Sequence, residues 1–554
     1  MATYSVVETT FAFRRSDYEY GLPHSSLGTE KMNKSQGKYE KIIKHTLVVS
    51  LGAALGKITS IFREAIIASK FGATANVDAW VTAFSLLSLF AYPLQESTFD
   101  TGIVPTLTKY SNKKVSNALS SFFSFLLLLL AIMLVIGFFF APNLIQLIAP
   151  GFTGKTLKLS NGLFLIILAS LPFIGLRVFL ISVLHAKEHF IAPAFAFVAI
   201  NVVTLLSVLI FGKLGVYSIA FGMLAGAITS LLMQIPPILR LNLNLFPIPL
   251  KLSPDPVIKD IMRLMLPAAA ATSVGTLNVI VDRAFASLLP AGSIAALNWG
   301  YSIMAAPIGI FAGSLSTVLF PRLSKEFEHG NKQDFSDSVD RGIRFSFLVA
   351  FPAAMIVAVF AIPIVSALFE RGAFNRQATL LTATATRYYA GAIIGASAGT
   401  VLVRLFYAQR DVITPLVISA SQVVLNAILD YILLKVIGFK GIPLATSFCS
   451  IAWALSLYTA LVRKENLKLL RKSLLFFLSK VLAATALSGI TMVVFLQKLG
   501  GYPLESSEFY RMAYVTVIIL IASMVFLGSS LFLRIQEVKM LFSAIHIRGE
   551  RHGS

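Results

Sequence analysis

Residues 121–140 read SFFSFLLLLLAIMLVIGFFF, with no charged side chain. A helix of about twenty apolar residues, at roughly 1.5 Å rise each, matches the hydrocarbon thickness of a bilayer. One such block fits equally well inside a soluble core. Here the blocks recur near 46–70, 78–108, 116–141, 158–184, 191–211, 214–236, 257–287, 293–321, 342–368, 378–407, 412–435, 441–463, 473–497 and 512–534. These are long unbroken runs rather than the short alternating segments of an outer-membrane barrel, so helices must satisfy the backbone within lipid. The sequence predicts an all-α integral membrane protein of about fourteen transmembrane helices.

Composition agrees with this. The 554 residues are 56% hydrophobic and 13% charged, with a mean hydropathy of +0.79. Soluble chains carry roughly a quarter charged residues. The net charge of +21 is spread over short interhelical segments rather than gathered in a nucleic-acid motif, so no nucleic-acid partner is expected. Lys109, Lys113, Lys114, Arg240, Lys251, Lys259, Arg263, Arg322, Lys325, Lys332, Arg341, Arg344, Arg463, Lys464, Lys468, Arg471 and Lys472 follow alternate spans, whereas 71–77 and 288–292 have no basic residue. The positive-inside rule then places both termini in the cytoplasm. Cys449 is the single cysteine, so neither a disulfide framework nor a cysteine metal site is expected.

The two halves share punctuation about 220 residues apart. PNLIQLIAPG (142–151) parallels PIVSALFERG (363–372), AKEHFIAP (186–193) parallels AQRDVITP (408–415), and VPTLTK (104–109) echoes FPRLSK (320–325). A repeat of six spans keeps its orientation, which predicts two six-helix lobes related by a pseudo-two-fold axis along the membrane normal. The resulting organisation is a polar, disordered N-terminal extension (1–41), an N-lobe (42–240), a C-lobe (250–465), two C-terminal helices (473–535) and a cytoplasmic tail (536–554).

Charges inside spans are costly, so they should pair or line a cavity. Lys57, Arg63 and Glu64 fall in or near span one; Asp78, Glu96 and Asp100 lie along span two. They read either as salt bridges between helices or as a hydrated, positively biased cavity for an anionic head group. Asp282 lies in span seven, Asn426 and Asp430 share one face of span eleven, and Thr446 adds a hydroxyl from span twelve. These are hard-cation ligands by type. Polar helix packing, or an Asp282–Arg283 pair, is the alternative.

FREAIIASKFGATANVDAW (62–80), VDRAFASLLPAGSIAALNWGYSIMAAPIGIFAGSLSTVLFPRLS (281–324), LFERGAF (368–374) and FYAQRDVITP (406–415) together resemble the MurJ/MviN family of the MOP exporter superfamily, from about residue 42 to the last span. The resemblance implies fourteen helices in two lobes and flipping of lipid II, the undecaprenyl-linked peptidoglycan precursor. It matches Arg63, Glu64, Asp78 and Glu96 to polar family positions, with Lys57 where arginine is common. Asp282, Asn426, Asp430 and Thr446 match a sodium site of some members, which implies Na+ as coupling ion. The family often carries arginine at the positions of Ala91, Tyr92 and Ser302, which bear on the diphosphate.

The expected function is therefore an alternating-access flippase for a lipid-linked anionic saccharide in the bacterial inner membrane. Lys57, Arg63, Glu64, Asp78 and Glu96 are the expected substrate site. The expected partners are the polyprenyl-linked glycan, membrane lipids and the cell-wall synthesis machinery. Two alternatives stay open: a flippase for another polyprenyl-linked glycan, and a cation-coupled exporter of small molecules. An embedded lipid-glycan transferase would need a catalytic acid or histidine in an aqueous loop, and the loops are short. An enzyme is therefore not expected, and as no GxxxxGK[ST] phosphate loop occurs, neither is an ATP-driven pump.

Overall fold

A computed structural model of the chain describes residues 27–109, 112–241, 256–312, 332–409, 411–465, 472–498 and 507–540. Secondary structure in these residues is helical throughout. The helices are α1 (Leu27–Phe71), α2 (Ala75–Ala91), α3 (Glu96–Lys109), α4 (Asn112–Ile148), α5 (Gly154–Leu168), α6 (Leu171–Ala186), α7 (Ile191–Ile210), α8 (Tyr217–Leu232) and α9 (Ile235–Arg240). They continue as α10 (Pro256–Ala286), α11 (Ser293–Pro307), α12 (Lys332–Val359), α13 (Ala361–Phe369), α14 (Arg376–Ala408), α15 (Ile413–Ile437), α16 (Gly441–Glu465), α17 (Lys472–Lys498) and α18 (Glu508–Phe532).

Twelve helical stretches among the described residues are long and apolar enough to cross a membrane. One of them, Ile413–Glu465, consists of α15 and α16, which pack on each other across the 3-10 turn Gly438–Lys440. The expected eighth span starts as α11 and runs into a π-turn at Ile308–Ala312; the rest of 293–321 lies outside the described residues. So do 1–26, the FPRLSK repeat copy at 320–325, Lys251, Lys468, Arg471 and the tail beyond 540. Helix α1 takes in residues 27–41 of the expected extension.

Several spans expected as single helices are broken: 214–236 between α8 and α9, 342–368 between α12 and α13, and two more beside prolines. Tyr92–Leu94 forms a 3-10 turn between α2 and α3, and Gln95 is extended. Pro93 lacks an N–H and its ring crowds the preceding turn, so the helix cannot run through unaltered. In the same way α5 ends at Leu168 and α6 starts afresh at Leu171, with Pro172 in its first turn.

The chain separates into two compact units. The first comprises Met1–Ile67, Thr82–Leu147 and Thr153–Thr276; the second comprises Ala68–Val81, Ile148–Phe152 and Leu277–Ser554. Two short pieces of the first half thus belong with the second unit, for identifiable reasons. The Ala373 N–H donates to Ser69 O at 2.7 Å, and the Gly151 N–H donates to Ser287 Oγ at 3.0 Å. The Gly292 and Ala295 N–H groups both donate to the Asp78 carboxylate, at 2.6 and 2.7 Å.

Small residues set the helix spacing. In the second unit Gly391, Gly395 and Gly399 recur every four residues on α14, facing α16. A Cβ on Gly395 would lie 2.3 Å from the Ser450 carbonyl carbon, and one on Gly399 would lie 2.2 Å from the Trp453 ring. In the first unit Gly222 and Gly226 of α8 meet Thr204, Ser207 and Ile200 of α7 in the same manner. Lipid tails are as apolar as leucine, so close van der Waals contact rather than water exclusion holds such helices together. Large apolar side chains on the outside, such as Phe139, Leu147 and Val436, are exposed as lipid contact requires.

Candidate functional site

In the first unit, Arg63 projects from α1. Its Nη2 donates to Glu64 Oε1 at 2.7 Å, and its Nη1 donates to Asn201 Oδ1 at 2.9 Å. Asn201, fully buried on α7, donates in turn to Gly56 O at 3.1 Å and to Thr59 Oγ1 at 3.3 Å. The amide therefore holds the guanidinium with one end and the α1 backbone with the other. Lys57 is exposed and has no hydrogen bond or ion pair among the described residues. Glu96, at the start of α3, accepts from Arg177 Nη1 of α6 at 3.1 Å. Further along the same two helices, His185 Nδ1 lies 3.0 Å from Asp100 Oδ2.

Asp78 lies elsewhere. It belongs with the second unit, where its two carboxylate oxygens accept from the first turn of α11. A carboxylate there satisfies N–H groups that no helix can satisfy for itself. Gly292, at φ +91°, makes the close approach possible, since a Cβ there would lie 2.4 Å from Ala73 O. Of the expected substrate residues, the structure thus brings Arg63 to Glu64 and Glu96 to Arg177, and gives Asp78 a helix-capping position. At the positions without arginine, Ala91 is half-buried, Tyr92 is exposed, and the exposed Ser302 hydroxyl bonds back to Asn298 O at 2.9 Å.

The four residues expected to hold a cation meet inside the second unit. Asn426 Nδ2 donates to Asp282 Oδ1 at 2.6 Å and to Asp430 Oδ2 at 3.1 Å, while Thr446 Oγ1 donates to Asp282 Oδ2 at 3.3 Å. All four are buried, Asn426 and Asp430 completely. Asn426 Oδ1 and Asp430 Oδ1 are buried without a hydrogen-bond partner. The expected alternative, an Asp282–Arg283 pair, does not form: Arg283 donates to Ile294 O at 3.1 Å and to Asn298 Oδ1 at 2.8 Å. Two buried carboxylates, with one unsatisfied oxygen on Asp430 and another on the Asn426 amide, and no guanidinium or ammonium among the described residues bonded to them, suit a small hard cation by donor type. Among the described residues no group of three or more His, Cys, Asp and Glu could hold a metal ion, so any ion here would rely on the amide and hydroxyl oxygens as well.

Asn201 and Arg177 escape the sequence reading. Asn201 is the one amide of its span and Arg177 the one charge in the middle of its own, which is the available signal; what each touches depends on helices far away in the chain.

Comparison with known proteins agrees over most of the chain. Residues 67–531 match the family described as lipid II flippase MurJ. A probable lipid II flippase MurJ of Buchnera aphidicola subsp. Acyrthosiphon pisum (strain APS) is 28% identical, over 82% of this chain and 90% of its own length. The lipid II flippase MurJ of Burkholderia cenocepacia is also 28% identical, over 81% and 89%. Among solved structures, a lipid II flippase MurJ in an inward closed conformation superposes with a TM-score of 0.73 at 22% identity, covering 88% of this chain and 99% of that one. A multidrug resistance MATE transporter of the MOP superfamily, inward-facing, gives 0.63 at 14% identity, covering 76% and 98%. With a buried polar centre in each unit, membrane-spanning helices throughout and a family match over residues 67–531, the chain belongs to the lipid II flippase MurJ family, and is a multi-pass inner-membrane transporter rather than an enzyme.

Proposed function

We propose that this protein carries lipid II across the inner membrane by alternating access. The observation that carries the reading is the family match over residues 67–531, joined to a guanidinium, Arg63, held by side chains only. A side-chain partner can rotate away when a phosphate arrives, and a guanidinium recognises phosphate through parallel N–H donors. In this proposal Arg63 binds the phosphates, Glu64 and Glu96 keep the bases oriented, and Lys57 adds positive charge. The lobes at 42–240 and 250–465 rock against each other, with both termini cytoplasmic and the cell-wall synthesis machinery as consumer of the product.

Asp282, Asn426, Asp430 and Thr446 would hold Na+ as coupling ion; the unsatisfied buried oxygens of Asn426 and Asp430 support this reading. Such an ion would supply positive charge to offset the two carboxylates. Because α10, α15 and α16 all contribute, binding favours the arrangement in which these helices are together, by no more than its differential affinity for the two states.

Ala91, Tyr92 and Ser302 favour a second reading, in which the head group is another polyprenyl-linked glycan. A rescue test decides between them. In cells depleted of their own lipid II flippase, expression of this protein is expected to restore growth and lipid II translocation. Membrane-inserted protein that restores neither overturns the lipid II reading.

A further inference from the structure

Three arginines are buried among the described residues: Arg177, Arg283 and Arg511. Two of them are staples. Arg283 donates to Ile294 O and Asn298 Oδ1, and Arg511 donates to Glu370 O and Ser366 Oγ. Each therefore fixes a backbone carbonyl that cannot move without its helix.

Arg177 is different. It is 8% exposed and makes one hydrogen bond, from Nη1 to Glu96 Oε1 at 3.1 Å. Its Nε is buried without a partner, as are those of Arg283 and Arg511, but unlike theirs its Nη2 also has none among the described residues. The open atoms, Nε and Nη2, form the side edge of the guanidinium, one of the edges that accepts two oxygens of a phosphate in parallel. Leaving a guanidinium buried on one bond is expensive, and an ionisable group kept at such cost inside a membrane marks a functional position. Arg177 shares with Arg63 a side-chain acid as partner and no backbone carbonyl.

Its neighbourhood points the same way. Helix α6 packs on α3 and on the Tyr92–Leu94 turn, where Ala91 and Tyr92 bring no charge. The basic group beside Glu96 is therefore supplied by α6. The Asp100–His185 pair already ties α3 to α6 two turns along α6, so Arg177 is not the sole bolt between them.

We propose that Arg177 is a second phosphate-binding guanidinium of the first unit, which exchanges Glu96 for the diphosphate of the polyprenyl-linked substrate. The proposal rests on the flippase reading. Its test uses the full-length protein in lipid vesicles for flipping, and in detergent for binding of undecaprenyl diphosphate against undecaprenol.

Arg177→Gln is expected to lose about tenfold or more in flipping and in preference for the diphosphate. Arg177→Lys, which keeps the charge but not the fork, should lose less. The neutral pair Glu96→Gln with Arg177→Gln removes the charge mismatch and should remain as impaired as Arg177→Gln alone. Recovery of wild-type flipping and diphosphate preference by that double variant would make the pair a mere bolt and overturn the proposal. So would an Arg177→Gln protein, melting as wild type, with undiminished diphosphate preference. A wild-type protein that moves no lipid II overturns instead the flippase reading on which the proposal rests.

Discussion

The polar centres of the two units differ in how their charges are balanced. In the first unit three acids within the spans each have a base: Glu64 with Arg63, Glu96 with Arg177, and Asp100 with His185. In the second, Asp282 and Asp430 share one amide, Asn426, and no guanidinium or ammonium among the described residues bonds to either. The nearest arginine in sequence, Arg283, is committed to Ile294 O and Asn298. A balanced set of pairs can trade partners with an arriving anion at little net cost. A pair of buried carboxylates short of positive charge is stabilised only by acquiring a cation or a proton. The first arrangement suits a head group that comes and goes; the second suits a coupling ion.

The sharpest way to break this contrast is Arg63→Ala. It leaves Glu64 and Asn201 without their guanidinium and removes the proposed phosphate donor, and should cut flipping by roughly 100-fold while the protein still reaches the membrane. Arg63→Lys keeps the charge but not the two-armed geometry and should restore only part of the rate. Full transport by Arg63→Ala in reconstituted vesicles would leave the first unit's pairs with a packing role alone.

The second centre is tested by stability. Wild type in sodium is expected to melt about 2–4 °C above wild type in choline at equal ionic strength. Asp282→Ala and Asp430→Asn should lose this difference, and Cys449→Ser, which removes no hard ligand, should keep it. Equal gains in all four proteins would reduce the cluster to polar helix packing.

The smallest expected effect lies outside the spans, at an ordinary ion pair for scale. Asp411 accepts from Lys464 Nζ at 2.6 Å and from the Thr414 N–H and hydroxyl at 3.0 and 2.8 Å. Partial burial works against its charged form, but the Lys464 ammonium and the Thr414 donors outweigh it and hold the carboxyl below its ordinary value. A lowered folded-state pKa means the contribution is fully present above the unfolded value, near 3.8, and disappears as pH falls through the folded value. Asp411→Asn should therefore cost about 0.5–1 kcal/mol at pH 7, with the deficit vanishing in acid. A deficit that persists unchanged through the acid range would mean that the charge is not what matters there.

Much of the molecule was legible from residue order alone. Long apolar runs must be helices in a bilayer, so α4, α7, α14 and α17 follow from composition and length. The i, i+4 spacing by itself puts Asn426 and Asp430 on one helix face. Pro93 and Pro172 could have been read as breaks, but hydrophobicity runs straight through them, and the expected single spans proved to be α2 with α3 and α5 with α6.

What the tertiary structure decided is which partner each polar group takes, because that depends on helices separated by long stretches of chain. Arg63 meets Asn201 across 138 residues, Glu96 meets Arg177 across 81, and Asp282 meets Asn426 across 144. Asp78 looked like its neighbours in sequence, yet it caps a helix 214 residues away. The sequence by itself determined that these groups lie within lipid-spanning helices, where each needs a partner. Only packing determined which acid kept a base and which pair was left short of a cation, since hydrogen bonding acts over about 3 Å and such distances exist only in the folded molecule.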